Sequence, residues 1–305
     1  MVKIGIIGFS EGNGHPYSFS AIINGYNKDE LCKTKWTGIL NYLQKRDDCE
    51  LAALDAQVTH VWTQNQPLSE EIARSCLIPN VVNEYTDMLG SVDAVVIARD
   101  DFESHYPIAK VFLETGTPVF IDKPLTLELS ELEWFSQFLE NGLLMSCSGF
   151  RYAGELDHAR HRLDEFGDVK LIRAAVINGW EKYGIHMIDT ALGLKDFEPI
   201  SVDCKHNGKY QQMLIEMACG TCLQVDTLGS DIVTFSFDIF GTEKISKSEV
   251  RDNFTAFKRT LYRFIEQVKT GTPAIPAGIT VRSIKTLVAG KMSLNQQRKI
   301  ELREL

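Results

Sequence analysis

The sequence predicts an α/β chain that begins with a doubly wound parallel sheet and continues into an α+β region with an open, mainly antiparallel sheet. Short apolar runs over residues 2–7, 58–63, 92–98 and 118–125 alternate with helical segments. Buried strands separated by helices are the pattern of parallel pairing through crossovers. Farther on, residues 169–178, 200–205, 212–217, 223–228 and 232–240 read as strands with apolar and polar residues alternating. That alternation is the pattern of antiparallel strands with one face on a core.

The first run, VKIGII, leads into Gly8-Phe9-Ser10-Glu11-Gly12-Asn13-Gly14, and Pro16 suits the first turn of a helix that continues over 17–26. A glycine-rich turn between a first strand and a helix is where dinucleotide pyrophosphates bind, because helix N–H groups face the anion there. The spacing is G-x-x-x-G-x-G rather than the usual G-x-G-x-x-G, so a merely flexible turn is an equal reading. Residues 27–55 exceed what a first crossover needs, and they hold an amphipathic piece with Trp36, Ile39, Leu40 and Leu43 on one face. The second strand ends in Trp62-Thr63-Gln64-Asn65. An acid there would bind ribose hydroxyls and an arginine a 2′-phosphate; neither is present, and the choice between NAD and NADP stays open. A helix over 69–75 starts from Ser69-Glu-Glu, and a short strand covers 81–85. The strand over 92–98 ends in Arg99-Asp100-Asp101, and His105 opens a helix that Gly116 closes.

Residues 118–125, PVFIDKPL, are a short buried strand ending on Asp122-Lys123, with Pro124 stopping the ladder. A lysine at the carboxyl end of a strand lies where such sheets bind ligands. Helices follow over 130–141 and 155–166, then the segment Trp180-Glu-Lys-Tyr-Gly-Ile-His186-Met-Ile-Asp189, which opens a helix to about residue 194. Two strongly patterned helices close the chain. Phe254, Phe257, Leu261, Phe264, Ile265 and Val268 form one stripe, and Val281, Ile284, Leu287, Val288 and Met292 the other.

The 305 residues suffice for one large or two ordinary domains, and the net charge of −9 with no basic stripe argues against nucleic acid. Apolar runs are strand-length and no secretory signal opens the chain, so a cytoplasmic protein without a membrane partner is expected. The seven cysteines, odd in number and irregular in spacing, fit reduced thiols. Cys219-Gly-Thr-Cys222 has metal or redox spacing, but it lies between two alternating runs and reads as a hairpin tip. No metal site is expected.

Taken together, these motifs resemble the glucose–fructose oxidoreductase/inositol dehydrogenase (Gfo/Idh/MocA) family. The likeness rests on the strand and loop over 3–8, the strand plus His105, Asp122-Lys123-Pro124, Gly184-Ile-His186-Met-Ile-Asp189, and the closing pattern from 264–271 to 289–293. The resemblance implies a Rossmann domain over 1–124 and a substrate-binding and oligomerisation domain over 125–305, with a homodimer or homotetramer formed through the second sheet. It implies hydride transfer between NAD or NADP and a carbinol or carbonyl carbon of a sugar, cyclitol or sugar-derived substrate, anionic and nucleotide-linked ones included. Lys123 matches the family's E-K-P lysine, with Asp122 in place of the glutamate, and His186 matches its catalytic or substrate-binding histidine. The chemistry agrees: histidine can take a hydroxyl proton near neutral pH, and a lysine can stabilise the developing negative charge. Cofactor contacts are expected from Gly8, Phe9, Ser10, Gly12, Gly14, Thr63, Arg99, His105 and Lys123. Asp189, at i+3 from His186, either orients the ring or favours the helix start.

One departure bears on function. Lys182 stands four residues before His186, where many such dehydrogenases carry an aspartate. Either Lys182 and Arg151 hold an anionic substrate, or Lys182 is a solvated loop lysine and Tyr183 assists proton transfer. The altered loop and Lys182 also motivate a different class of function, a dinucleotide-binding sensor or regulatory protein that keeps the fold without turnover.

Overall fold

A computed structural model covers residues 1–305 and describes every side chain except that of Asp48. The chain divides into two compact units.

The first unit holds a six-stranded sheet in the order β3-β2-β1-β4-β5-β6, with every pair parallel. Its strands are β1 (Val2–Ile7), β2 (Ala56–Trp62), β3 (Asn80–Val81), β4 (Ala94–Ile97), β5 (Val119–Ile121) and β6 (Leu144–Ser146). This is the doubly wound order of dinucleotide-binding sheets, and it switches direction between β1 and β4. Ile4, Ile6, Ile7, Val95, Val96, Val119 and Ile121 have no exposed surface, as parallel strands covered on both faces require. The helix His15–Asn24 starts just past the glycine-rich loop with Pro16 in its first turn. The helix Gln66–Ser75 starts earlier than Ser69, because the Asn65 side chain caps it by accepting the Leu68 N–H at 3.0 Å. Ser69 is instead buried inside that helix, within hydrogen-bonding distance of the Thr63 hydroxyl at 2.8 Å.

The long stretch before β2 forms two short helices, Lys28–Leu31 and Thr37–Leu43. It folds up against the glycine-rich loop. Trp36 and Ile39 lie so close to Gly14 that a Cβ there would collide with both, and Trp36 meets Phe9 edge-on at 6.3 Å. The unit is discontinuous in sequence: residues 1–126 are completed by 133–146 and 257–276. Phe257 packs edge-on against Phe19 at 5.4 Å, and Phe264 lies 5.7 Å from Phe120. A single boundary at residue 124 therefore does not describe this unit, since β6 and part of a late helix belong to it.

The second unit comprises residues 127–132, 147–256 and 277–305. It carries a seven-stranded sheet ordered β12-β11-β7-β10-β9-β8-β13. The strands are β7 (Val169–Val176), β8 (Pro199–Asn207), β9 (Tyr210–Met217), β10 (Cys222–Thr227), β11 (Phe235–Gly241), β12 (Ile245–Glu249) and β13 (Ile300–Glu301). Pairing is antiparallel except between β7 and β10, which run parallel. The helix Ile185–Leu194 and the β8–β9 pair intervene between those two strands, so the chain re-enters the sheet in the same direction. Ile172, Ala174, Met213, Ile215, Leu223 and Val225 alternate inward and have no exposed surface. The helices Ile185–Leu194 and Ala277–Gln296 pack on the sheet and on each other. Trp180 joins them: it is 1% exposed, donates its indole N–H to the Leu287 carbonyl at 2.8 Å, and leaves no room for a Cβ at Gly290.

Two local expectations change, and a third, the hairpin tip, holds. The helix over 155–166 is instead a five-residue helix, Asp157–His161, between 3₁₀ turns. The segment's buried anchors are Leu156, Ala159 and Phe166. β12 is an additional edge strand, polar and half-exposed, and so without an apolar signature. The Cys219–Cys222 stretch is the tip of the β9–β10 hairpin, closed by Met217 N–H on Thr221 O at 2.9 Å, and both cysteines are free thiols. Among the described residues no group of three His, Cys, Asp or Glu side chains could hold a metal ion, and no helix is long and apolar enough to cross a membrane.

Candidate active site

In the first unit the carboxyl ends of β1, β4 and β5 bring together the glycine-rich loop, Asp100 and Lys123. Gly8 follows β1 with a φ of 86°, the left-handed region that favours glycine, and a Cβ there would run into the Arg99 side chain. The loop is held from several sides. Gly8 N–H donates to the Trp62 carbonyl at 2.7 Å. The Gln64 amide brackets Phe9, accepting its N–H at 3.1 Å and donating to its carbonyl at 2.8 Å. Ser10 Oγ donates to Asp100 Oδ1 at 2.6 Å and accepts the Asp100 N–H at 3.1 Å.

Lys123 is 5% exposed, and its Nζ lies 3.5 Å from Asp100 Oδ2. Next to it, the Asp122 carboxylate is 2% exposed. Its Oδ2 accepts from Asn13 Nδ2 at 2.9 Å and meets His15 Nδ1 at 2.6 Å, while Oδ1 accepts the Lys123 N–H at 2.9 Å. Burial alone would push this carboxyl up. The charge and hydrogen bond of His15, the charge of Lys123 and the Asn13 amide outweigh burial and hold it well below the usual carboxylate range.

These residues fit a dinucleotide. The loop is exposed at Glu11 and Gly12, and no protein acceptor takes their N–H groups among the described residues. Gly12 has open space where a side chain would stand, and the helix His15–Asn24 begins directly behind. N–H groups at a helix start, with glycine allowing close approach, are what a pyrophosphate requires.

Other expected cofactor residues serve the scaffold. His105 has no exposed surface, and its two ring nitrogens lie 3.0 Å from the Leu125 carbonyl and 2.9 Å from the Arg99 carbonyl. It braces the ends of β4 and β5, which corrects the expectation that it touches the cofactor. Thr63 is likewise buried and bonded to Ser69 and the Asn65 carbonyl. Arg99 is paired in a fork with Asp101 beside Gly8, so its charge is already matched.

In the second unit a single π-type turn, Trp180–Gly184, runs into the helix Ile185–Leu194. Such turns often accompany functional sites. His186 sits in the first turn of that helix at 7% exposure. Its Nδ1 lies 2.7 Å from Ser148 Oγ, which also accepts the Phe150 N–H at 3.1 Å. Aromatic rings surround the imidazole: Phe150 at 4.8 Å, Tyr183 at 5.5 Å and Phe235 at 6.3 Å.

Asp189 acts at one remove from the histidine. It accepts the Ser148 N–H at 2.9 Å and so fixes the residue that meets the ring. Its main partner is Arg151, whose Nη2 and Nε approach it at 2.8 and 3.2 Å in a pair with both members nearly buried. Burial would lower the guanidinium's proton affinity, but Asp189 more than offsets that and raises it. Arg151 is therefore bound to Asp189 rather than displayed to solvent. Lys182 is exposed and Tyr183 half-buried. Sequence reading missed Ser148, Asp100, Asn13 and His15. Asn13 and His15, within and directly after the glycine-rich loop, and Asp100, next to Arg99, stood at motifs that could have drawn attention to them.

Comparison with known proteins is consistent with this architecture. Residues 36–142 match the oxidoreductase family GFO_IDH_MocA, described as having an NAD-binding Rossmann fold. The chain is similar to the Gfo/Idh/MocA oxidoreductase family over this segment. Its two-sheet fold matches that of scyllo-inositol dehydrogenase from Lactobacillus casei with bound NAD(H) and scyllo-inositol, at a TM-score of 0.77, 16% identity and 99% coverage of both chains. Myo-inositol dehydrogenase from Lactobacillus casei in complex with NAD(H) and myo-inositol also gives a TM-score of 0.77, at 17% identity, covering 99% of this chain and 96% of that one. In sequence, 80 residues are 31% identical to a protein of Amycolatopsis mediterranei (strain S699) named as a UDP-kanosamine synthase oxidoreductase subunit, a match spanning 26% of this chain and 22% of that relative's length.

Proposed function

We propose that this protein transfers a hydride between a nicotinamide dinucleotide and a carbinol or carbonyl carbon of a sugar, cyclitol or sugar-derived substrate. The observation that carries the reading is Lys123: a nearly buried ammonium at the carboxyl end of β5, beside a glycine-rich loop able to take a pyrophosphate. The substrate class is supported by the inositol dehydrogenases of like fold and by the sugar-nucleotide name of the sequence relative.

The dinucleotide supplies the hydride acceptor when bound. The protein's part is to manage the proton and the charge. Ser148 Oγ has two lone pairs, so it can accept from both the Phe150 N–H and the His186 Nδ1–H. His186 Nε2 then carries the lone pair that a general base needs to take the hydroxyl proton. The Lys123 ammonium donates to the oxygen on which negative charge develops. Tyr183, beside the imidazole, is a second proton donor or acceptor for the same step. Lys182, exposed on the turn before His186, suits a carboxylate or phosphate on the substrate. We also infer that the open face of the second sheet, where Tyr210 and Leu214 are each 40% exposed, meets a second copy of the chain.

Fluorescence titration with NADH and NADPH tests the cofactor half and decides between the two; no binding of either would end this reading. A panel of cyclitols, aldoses, uronic acids and sugar nucleotides, followed at the nicotinamide absorbance, tests the chemistry. Tight binding without turnover on any member would favour the sensor reading that the altered loop and Lys182 motivate.

A further inference from the structure

The glycine-rich loop is tied to the end of β5 twice, and both ties converge on Lys123. One runs from Ser10 Oγ to Asp100 Oδ1 at 2.6 Å and from Asp100 Oδ2 to Lys123 Nζ at 3.5 Å. The other runs from Asn13 and His15 to Asp122 Oδ2, at 2.9 and 2.6 Å, and from Asp122 Oδ1 to the Lys123 N–H at 2.9 Å. The loop thus reaches the side chain of Lys123 through one carboxylate and its backbone through the other. Asp122 is 2% exposed and the Asp100 side chain 12%, so both bridges are largely shielded from screening by water.

We propose that Asp100 and His15 are positioning residues that couple occupancy of the glycine-rich loop to the placement of the Lys123 ammonium. The proposal rests on the dinucleotide-binding reading above. Its physical basis is a competition for one proton. The Ser10 hydroxyl has a single hydrogen, now given to Asp100. A pyrophosphate seated on the loop brings a second anionic acceptor to the same hydroxyl. When the Ser10 proton turns to the phosphate, Asp100 loses a donor and its charge falls more fully on Lys123. The ammonium is then drawn into one position, while the Asp122 bridge keeps the backbone beneath it from shifting. A loop without dinucleotide leaves Lys123 less firmly held, so loading the loop precedes setting of the lysine.

The test uses ADP-ribose, which carries the pyrophosphate but no nicotinamide to cover the lysine. Calorimetry measures its binding. Acetylation of Lys123 by acetic anhydride, read by peptide mass spectrometry, reports how available the amine is. In the unaltered protein, saturating ADP-ribose should slow Lys123 labelling at least about threefold and leave the exposed Lys33 and Lys170 unchanged. The isosteric Asp100→Asn should still bind ADP-ribose but lose the effect on Lys123, and Ser10→Ala, weaker in binding because it lacks the hydroxyl, should also lose it once saturated. His15→Gln, which keeps a donor for Asp122, should retain it, and His15→Leu should not. ADP-ribose that binds without changing Lys123 labelling, or that slows it equally in Asp100→Asn, overturns the coupling and leaves the dinucleotide reading intact. Failure of ADP-ribose to bind the unaltered protein overturns both.

Discussion

Lys123 and His186 are the two basic groups assigned to one reaction, and they are housed in opposite ways. Lys123 lies among charges: Asp100 faces its ammonium and Asp122 holds its backbone. His186 meets a hydroxyl at Nδ1 and has three aromatic rings around the imidazole. The carboxylate nearest in sequence, Asp189, is taken up by Arg151 and by the Ser148 N–H. The contrast matches the proposed work. A group that must stay positive is favoured by carboxylates, and a group that must gain and lose a proton is better served by partners that do not fix its charge.

The largest test of this comparison removes the base. His186→Ala should lower kcat by about 10²–10⁴-fold with NADH affinity unchanged, and stopped-flow hydride transfer near the wild-type rate would take His186 out of the mechanism. Lys123→Met should cost about 10²–10³-fold in kcat/KM; if the loss falls entirely on cofactor affinity, the lysine binds rather than stabilises charge. Breaking the buried pair with Arg151→Met should destabilise the second unit by about 3–5 kcal/mol in a denaturant titration, because Asp189 is left uncompensated. A small change there would mean that Asp189 is supported chiefly by Ser148 and by Ser283, whose hydroxyl donates to Asp189 Oδ1 at 3.4 Å. Gly290→Ala, which drives a methyl into Trp180, should cost about 1–3 kcal/mol on the same measurement.

The smallest effect is a pH dependence. Asp122 stays ionised farther into acid in the folded chain than in the unfolded one, where aspartate titrates near ~3.9. Its pairing therefore stabilises the fold above that pH, and the contribution is lost as pH falls below it toward the depressed folded value. Asp122→Asn should flatten the acid limb of stability against pH below about 4. An unchanged slope in that variant would assign the limb to other carboxylates.

Much of the architecture was legible because burial writes itself into periodicity. β1, β4 and β5 are covered on both faces and read as unbroken apolar runs, while β9 and β10 alternate because only one of their faces meets a core. β12 left no such signal because it buries little. Lys123 and His186 could be named because each stands in a short motif at a recognisable element end. Their links to Ser148 and Asp100 could not, since those residues reach them across 38 and 23 positions of sequence through folding alone. Nothing local in the sequence reveals the pairing of Arg151 with Asp189, for the same reason.

The first unit also has a consequence for how the chain is made. Its first strand lies at residues 2–7 yet it needs residues 257–276, whose Phe257 and Phe264 lie against Phe19 and Phe120. During synthesis the strands over residues 2–121 emerge before the segment that covers their apolar face, which stays bare until residues 257–276 have left the ribosome. The parallel sheet is thus completed long after its strands are made, and a chain interrupted before residue 257 would present bare aromatic surface to chaperones instead of a folded sheet.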